Sequence, residues 1–322
     1  MNFVLNLLND EILRVEEQFR KDLESRVPLI RKVGEYVLAS GGKRVRPMML
    51  LLSAKLAGYQ GESHVGLASV VEFIHTATLL HDDVVDSAVL RRGQDSANAV
   101  WGNEASVLVG DFLFAKSFSI MVREGNLEIL KTLSDATTQM AEGEVLQLIS
   151  TCDVELDEAR YIEVVRNKTA VLLSAASRCG ALLGACPPEQ EEALSAYGMD
   201  LGIAFQFMDD ALDYVADQDA FGKECGHDLL EGKVTLPLIH TLKRCNAEER
   251  KRIAGIIEQE TLPEEDLKYI VGLIHSYDGI DYTRDRAKLL IESAKGHLAL
   301  FADCPAKEAM IRLADYVVSR NL

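Results

Sequence analysis

The chain has 322 residues, 48% of them apolar, and carries 34 basic against 51 acidic side chains, a formal charge of −17. That length admits one large domain or two ordinary ones with ample core-forming residues. The acidic excess argues against nucleic acid as a partner, because backbone phosphates call for a basic surface.

The N-terminal Met1-Asn2-Phe3-Val4-Leu5-Asn6 lacks the basic start of a signal peptide. Residues 4–23 then place Val4, Leu8, Ile12, Val15, Phe19 and Leu23 at the spacing of an amphipathic helix. Gly41-Gly42 closes the next helix and Pro47 opens the one after it. An apolar stripe of Val70, Val71, Ile74, Ala77 and Leu80 leads into acidic sequence. Residues 105–122, 127–149, 158–185 and 191–216 read as long helices, and 247–260, 264–276, 283–302 and 306–320 continue the pattern. Ala, Leu, Glu and Lys are abundant, and strand-like alternation of useful length, linkers and tandem repeats are missing from the pattern. The expectation is an all-α chain forming one domain over residues 1–322. The best membrane candidate, residues 170–186, is broken by Arg178 and reads as a core helix. Cysteines 152, 179, 186, 225, 245 and 304 lack the paired spacing of a zinc site. They read as reduced thiols of a cytoplasmic protein.

One acidic pattern occurs twice: Asp82-Asp83-Val84-Val85-Asp86 and Asp209-Asp210-Ala211-Leu212-Asp213. Each ends an apolar run, and basic residues follow each. Residues four apart on a helix share a face, with Cβ atoms about 5–6 Å apart. Asp82 therefore pairs with Asp86, and Asp209 with Asp213. Carboxylates held that close repel one another and suit a hard cation. Mg²⁺ fits best, since it is held by one or two carboxylates together with waters and substrate phosphates. A single copy of the pattern is weak evidence, because acidic helix faces are common. Two copies point to a site that grips a polyphosphate from two sides.

Three basic clusters accompany the acids. Gly41-Gly42-Lys43-Arg44-Val45-Arg46-Pro47 sets three cations at a helix start, where free N–H groups favour an anion. Arg91-Arg92-Gly93 follows the first acidic run and can fork onto phosphate oxygens. Lys223 and Lys233 follow the second. Solvated surface charge explains each cluster equally well when it is taken alone.

Together these residues carry a resemblance. His81-Asp82-Asp83-Val84-Val85-Asp86 with Arg91-Arg92-Gly93 resembles the first aspartate-rich motif of the trans-isoprenyl diphosphate synthases. Phe205-Gln206-Phe207-Met208-Asp209-Asp210-Ala211-Leu212-Asp213 resembles their second motif, and Gly41 through Pro47 their basic entry motif. The likeness runs along essentially the whole chain. Segments 72–81, 105–111 and 141–147 bring it nearest to the bacterial long-chain synthases of the octaprenyl type.

The resemblance implies a large helical bundle of the isoprenoid synthase type around a deep central cavity. It implies three Mg²⁺ ions per site, held by Asp82, Asp86 and Asp209, with Asp83, Asp210 and Asp213 supporting directly or through water. Arg91, Lys168, Lys223 and Lys233 would contact the diphosphate of an allylic substrate such as farnesyl diphosphate. Lys43, Arg46, His75 and Arg92 would bind isopentenyl diphosphate. Thr169 and Gln206 would lie beside the reacting carbons. Small residues at Ala77 and Thr78, with Ile74 and Phe73 one turn deeper, point to an all-trans product near C40 rather than one ending at C20 or below. The resemblance also implies a homodimer, a role in quinone side-chain synthesis, and loose membrane contact through the greasy product.

Three rival readings draw on the same residues. An HD-type metal phosphohydrolase would use His75 and His81-Asp82, and leaves the second acidic motif unexplained. A terpene cyclase usually carries Asn and Ser where this chain has acids at 209, 210 and 213. A non-catalytic subunit of a heteromeric synthase tends to lose both acidic motifs, and here both are complete.

Overall fold

The computed structural model describes residues 1–215, 226–259 and 262–319. Lys223 and Cys225, and the helix ends expected at 216, 260 and 320, lie outside the described residues. The chain is helical from Asn2–Asp22 to Pro305–Ser319, with one two-stranded hairpin among the described residues. It divides into two compact units, the first comprising Met1–Thr137, Leu172–Ser195 and Leu300–Met310. The second comprises Thr138–Val171, Ala196–Ala299 and Ile311–Leu322.

In the first unit the helix Ser63–Val85 is the central element, packed against Asn2–Asp22, Val45–Leu56 and Asn103–Glu124. Its positions 73, 77 and 80 share one face and enter a buried cluster with Phe19, Leu23, Val33, Leu38 and Leu113. The Phe73 ring lies 4.3 Å from that of Phe19, centroid to centroid. Ile74 is fully buried too. A second stripe of the same helix, made of His75, Thr78, Leu79, Asp82 and Asp86, stays partly exposed. Burial on one side and polarity on the other thus aim the acids away from the core.

Before this helix, Arg44 adopts a left-handed backbone (φ 52°) and turns inward. Its guanidinium pairs with Glu72 at 2.7 Å and donates to the Leu38 carbonyl at 2.8 Å. That bond set orders the Gly41–Pro47 loop. After the helix, Leu90–Arg91 and Gln94–Asp95 pair as antiparallel strands around Arg92-Gly93. Both turn residues have positive φ, 53° and 78°, as a two-residue type I′ turn requires. Two-residue strands are too short to show alternation, so the sequence gives no sign of them.

Among the described residues, two helices are long and apolar enough to cross a membrane, Ser63–Val85 and Asn103–Glu124. The first has 67% of its apolar window buried inside the protein and is a core helix; the second has 39%. The 170–186 segment singled out by sequence is not one of them.

In the second unit, Leu236–Arg244 packs on Glu158–Val165 and Gly279–His297. Gly279 makes the latter contact possible: a Cβ there would sit 2.4 Å from the Pro237 carbonyl oxygen. The long helix expected over 158–185 is Glu158–Val165 and Val171–Leu183 joined by a π-helical turn, Arg166–Ala170. Such turns interrupt helices mostly where function needs an altered side-chain register. This one carries Lys168 and Thr169.

Candidate active site

Each acidic run sits at the C-terminal end of its helix. Asp82 and Asp83 occupy the last turn of Ser63–Val85, and Asp86 is its C-cap. Asp209, Asp210 and Asp213 close Pro188–Asp213. A helix C-terminus carries about half a negative charge, so each carboxylate there costs roughly 0.3–1 kcal/mol where a cation would gain as much. Both ends are thus electrostatically arranged to attract cations.

In the first unit, the central acid of the run turns inward. Asp83 is 2% exposed, and Arg91 places Nε and Nη2 each 2.6 Å from its Oδ1. This ion pair ties the hairpin to the helix. Arg92 folds back to donate to the Gly41 carbonyl. Gly42 accommodates it, since a Cβ at that residue (φ 146°) would lie 2.9 Å from the Arg92 Nη1. Arg46 Nη1 stands 3.1 Å from His75 Nε2. A guanidinium only donates, so His75 accepts and is neutral. Burial first, then Arg46, Arg92, Arg91 and Arg44, push the His75 pKa well below its usual value. Burial, and then Arg91 and Arg44, also lower that of Arg92. Arg46 and Arg92 beside a neutral histidine, with Arg44 and Arg91 ion-paired to Glu72 and Asp83 nearby, make a patch of hydrogen-bond donors suited to a diphosphate. Lys43 lies in the loop that leads into it.

In the second unit, a cavity of about 120 Å³ is walled by Lys168, Thr169, Gln206, Asp210, Asp228 and Lys233, among others. Lys168 Nζ lies 2.8 Å from Glu144 Oε2, and Lys233 pairs with Glu231. Thr169 Oγ1 donates to Gln206 Oε1 at 3.1 Å, and Gln206 Nε2 donates to Asp210 Oδ1 at 2.8 Å. The Tyr161 hydroxyl donates to the other oxygen of Asp210, which is 1% exposed. Asp213 accepts from the backbone N–H groups of His227 at 3.1 Å and Asp228 at 3.0 Å. Its pKa is nonetheless raised, because burial outweighs those bonds. Burial first, and then Asp228, push the Asp210 pKa up, against hydrogen bonds from Tyr161 and Gln206 that favour its charged form. Burial and Asp213 push Asp228 up to about 7, against the pull of Lys233. Buried acids crowded this closely disfavour their own charge, and a divalent ion bound beside them would favour it.

The donor set fits Mg²⁺. It consists of carboxylate oxygens one helical turn apart, Asp82 with Asp86 and Asp209 with Asp213, partly exposed on their helices. Among the described residues no group of three or more His, Cys, Asp or Glu side chains is gathered around one point to hold an ion. The HD-type arrangement does not form either. His75 turns onto Arg46, while His81 Nε2 lies 3.2 Å from the Val107 carbonyl and 3.5 Å from Asp111.

Sequence reasoning passed over Tyr161, Glu144 and Asp228. Tyr161 stands seven residues before Lys168, but the π-helical turn that holds Lys168 shifts the register, so a regular helical spacing does not bring the two together. Glu144 and Asp228 reach the site only through tertiary packing.

Comparison with known proteins agrees with this geometry. Residues 27–274 match the family model described as "Polyprenyl synthetase". The chain is 43% identical over 315 residues to octaprenyl diphosphate synthase of Escherichia coli, covering 98% of this chain and 97% of that one. It is similar to the crystal structure of a decaprenyl diphosphate synthase from Rhodobacter capsulatus, with a TM-score of 0.94 and 41% identity over 98% of this chain and 97% of that one. It is also similar to a polyprenyl synthase from Caulobacter crescentus CB15 complexed with calcium and isoprenyl diphosphate, with a TM-score of 0.92 and 42% identity, covering 99% and 97% of the two chains. The fold is the all-α isoprenoid synthase fold. The chain belongs to the polyprenyl synthetase family.

Proposed function

We propose that this chain is a trans-prenyltransferase that builds a long all-trans polyprenyl diphosphate, near C40, by Mg²⁺-dependent addition of isopentenyl diphosphate to an allylic starter such as farnesyl diphosphate. The observation that carries the reading is the pair of acidic runs, each at the end of a helix that repels negative charge. The 43% identity to an octaprenyl diphosphate synthase, over nearly the whole of both chains, supports it.

The chemistry asks little covalent work of the protein. The allylic C–O bond breaks with its electron pair leaving on the diphosphate. The double bond of isopentenyl diphosphate attacks the resulting carbocation, and the departing diphosphate takes the proton whose loss restores an alkene. Magnesium, three ions per site in this proposal, would be held by Asp82, Asp86 and Asp209 with the remaining acids behind them, and supplies charge neutralisation for the departing diphosphate. Lys168 and Lys233 add fixed positive charge there, and the role expected of Lys223 falls outside the described residues. Lys43, Arg46, Arg92 and the neutral His75 hold isopentenyl diphosphate by charge-assisted hydrogen bonds. The oxygens of Thr169 and Gln206 face the cationic carbons, as preorganised dipoles that need not reorganise during reaction.

The same reading includes a homodimer, which would cover the exposed Val107, Leu108 and Val122 of the Asn103–Glu124 helix. It places the enzyme in the cytoplasm as one catalytic domain, with membrane contact only through its lipophilic product, destined for quinone side chains. Incubation with farnesyl diphosphate, labelled isopentenyl diphosphate and Mg²⁺, followed by mass spectrometry, tests the central claim. Products near C40 are expected; products ending at or below C20 would overturn it.

A further inference from the structure

Four side chains in the second unit form one directed chain of hydrogen bonds. Thr169 Oγ1 donates to Gln206 Oε1, Gln206 Nε2 donates to Asp210 Oδ1, and the Tyr161 hydroxyl donates to Asp210 Oδ2. All four residues line the same cavity. Asp210 and Tyr161 are 1% and 5% exposed, so water contributes little to either. The Tyr161 ring is itself fixed by stacking on Phe207, with centroids 5.8 Å apart and planes 24° apart.

Direction matters because of what each group is able to do. A carboxylate only accepts hydrogen bonds, whereas a carboxamide has a donor end and an acceptor end. Facing Asp210, Gln206 must present its NH₂ group there and turn its oxygen toward Thr169. Turning the amide over would set two oxygens against each other at Asp210. Thr169 spends its hydrogen on that same oxygen, so its own lone pairs are left for the cavity. The wall beside Thr169 is therefore oxygen-rich. An allylic cation is stabilised by such a wall and destabilised by N–H groups pointing at it.

We propose that Tyr161 is a positioning residue: by fixing the Asp210 carboxylate it locks the Gln206 carboxamide with its oxygen toward the reacting carbons. The inference rests on the prenyl-transfer reading above and adds to it a device for stabilising the cation. Without the tyrosine hydroxyl, Asp210 Oδ2 loses its donor, the carboxylate is free to rotate, and the amide is no longer held one way round.

Binding by two inhibitors in the presence of Mg²⁺ separates this role from a structural one. One is farnesyl thiodiphosphate, which is neutral along its chain and resists ionisation. The other is an ammonium analogue of farnesyl diphosphate with charged nitrogen at the cationic carbon. Titration calorimetry on the wild-type enzyme should show a preference for the ammonium analogue. Tyr161→Phe keeps the ring stack, and should cut that preference about tenfold, the scale of one charge-assisted hydrogen bond. Affinity for the thio analogue should stay within about twofold, and kcat should fall without a matching rise in KM for isopentenyl diphosphate. Phe207→Leu, which loosens the stack that fixes the Tyr161 ring, carries the same expectation and serves if the phenylalanine variant does not fold. An unchanged preference in these variants, or an equal loss of affinity for both analogues, would overturn the lock; the second result would make Asp210 a metal ligand or a structural prop instead. Failure of the wild-type protein to bind either analogue would instead overturn the prenyl-transfer reading itself.

Discussion

Gly143 is the position where one methyl group tests how the site is built. It is buried in the helix Leu127–Ile149, against the π-helical turn that carries Lys168 and Thr169. A Cβ at Gly143 would lie 2.6 Å from the Lys168 backbone nitrogen and 2.9 Å from both the carbonyl carbon and the Cβ of Asn167. Opening 2.6 Å to the 3.4 Å at which van der Waals contact becomes ordinary requires a shift of about 0.8 Å. No flexible side-chain tip is available to absorb it, because the nearest atoms belong to or adjoin the backbone. Overpacking of this kind costs about 1–3 kcal/mol, and replacing a mid-helix glycine by alanine returns about 0.5–1 kcal/mol. Gly143→Ala should therefore lose no more than about 2.5 kcal/mol of stability. The larger effect should fall on catalysis, since displacing reacting groups by about 1 Å costs on the order of a hundredfold. We expect kcat to drop by tens of fold, measured by incorporation of labelled isopentenyl diphosphate. Gly255→Ala and Gly272→Ala are the controls. A Cβ at either meets nothing within 4 Å, so both should keep full activity and gain a little stability. A Gly143→Ala enzyme with wild-type kcat would show that the π-helical turn does not position the reacting groups.

Two other outcomes follow from the first unit. Arg44→Ala leaves Glu72, whose side chain is only 7% exposed, as an uncompensated buried charge, which costs about 3–5 kcal/mol. The lower end is expected because Glu16, the second partner, is 28% exposed; urea unfolding at constant m-value reads the loss, and a midpoint shift of under about 1 kcal/mol would refute it. His75 is held neutral well below its ordinary 6.5, so as pH falls through 6.5 the unfolded chain takes up a proton that the folded protein refuses. Stability attributable to His75 is intact above that pH and drains away below it. His75→Gln should flatten the fall of Tm with acidity in that window, and parallel curves for the two proteins would contradict the reading.

The helical fold was legible because its signals are periodic and long. Apolar spacing marks Asn2–Asp22 and Ser63–Val85 directly. What escaped notice has short-range or tertiary causes. The hairpin at Leu90–Asp95 has two residues per strand, and its positive-φ Arg92 is stabilised by the turn it makes. The helix read as beginning at 283 starts at Gly279, after a left-handed Asp278 that no spacing rule anticipates. The π-helical turn keeps helical composition while shifting register, so residues 158–185 look uninterrupted. Asp228 becomes a site residue only because its backbone N–H donates to the Asp213 carboxylate, a bond between residues far apart in sequence.

The acidic runs also divide in a way their spelling already contained. Consecutive helical residues point about 100° apart, so an Asp-Asp-x-x-Asp run aims its first and last members one way and its middle member elsewhere. In both copies the middle acid is the buried one, Asp83 at 2% and Asp210 at 1% exposure. Each is held by groups from another element: Arg91 of the hairpin for Asp83, and Tyr161 with Gln206 for Asp210. The outward pairs keep partial exposure at helix ends that disfavour negative charge. A fold selected only for stability would replace those outward acids, since each works against the helix dipole and against its neighbour. It would also have little use for the inward acids, whose burial is tolerable only with dedicated donors. One pattern thus does two jobs. The inward aspartate fixes the helix end in its surroundings, and the outward pair stays partly exposed one helical turn apart, the spacing that suits a hard cation.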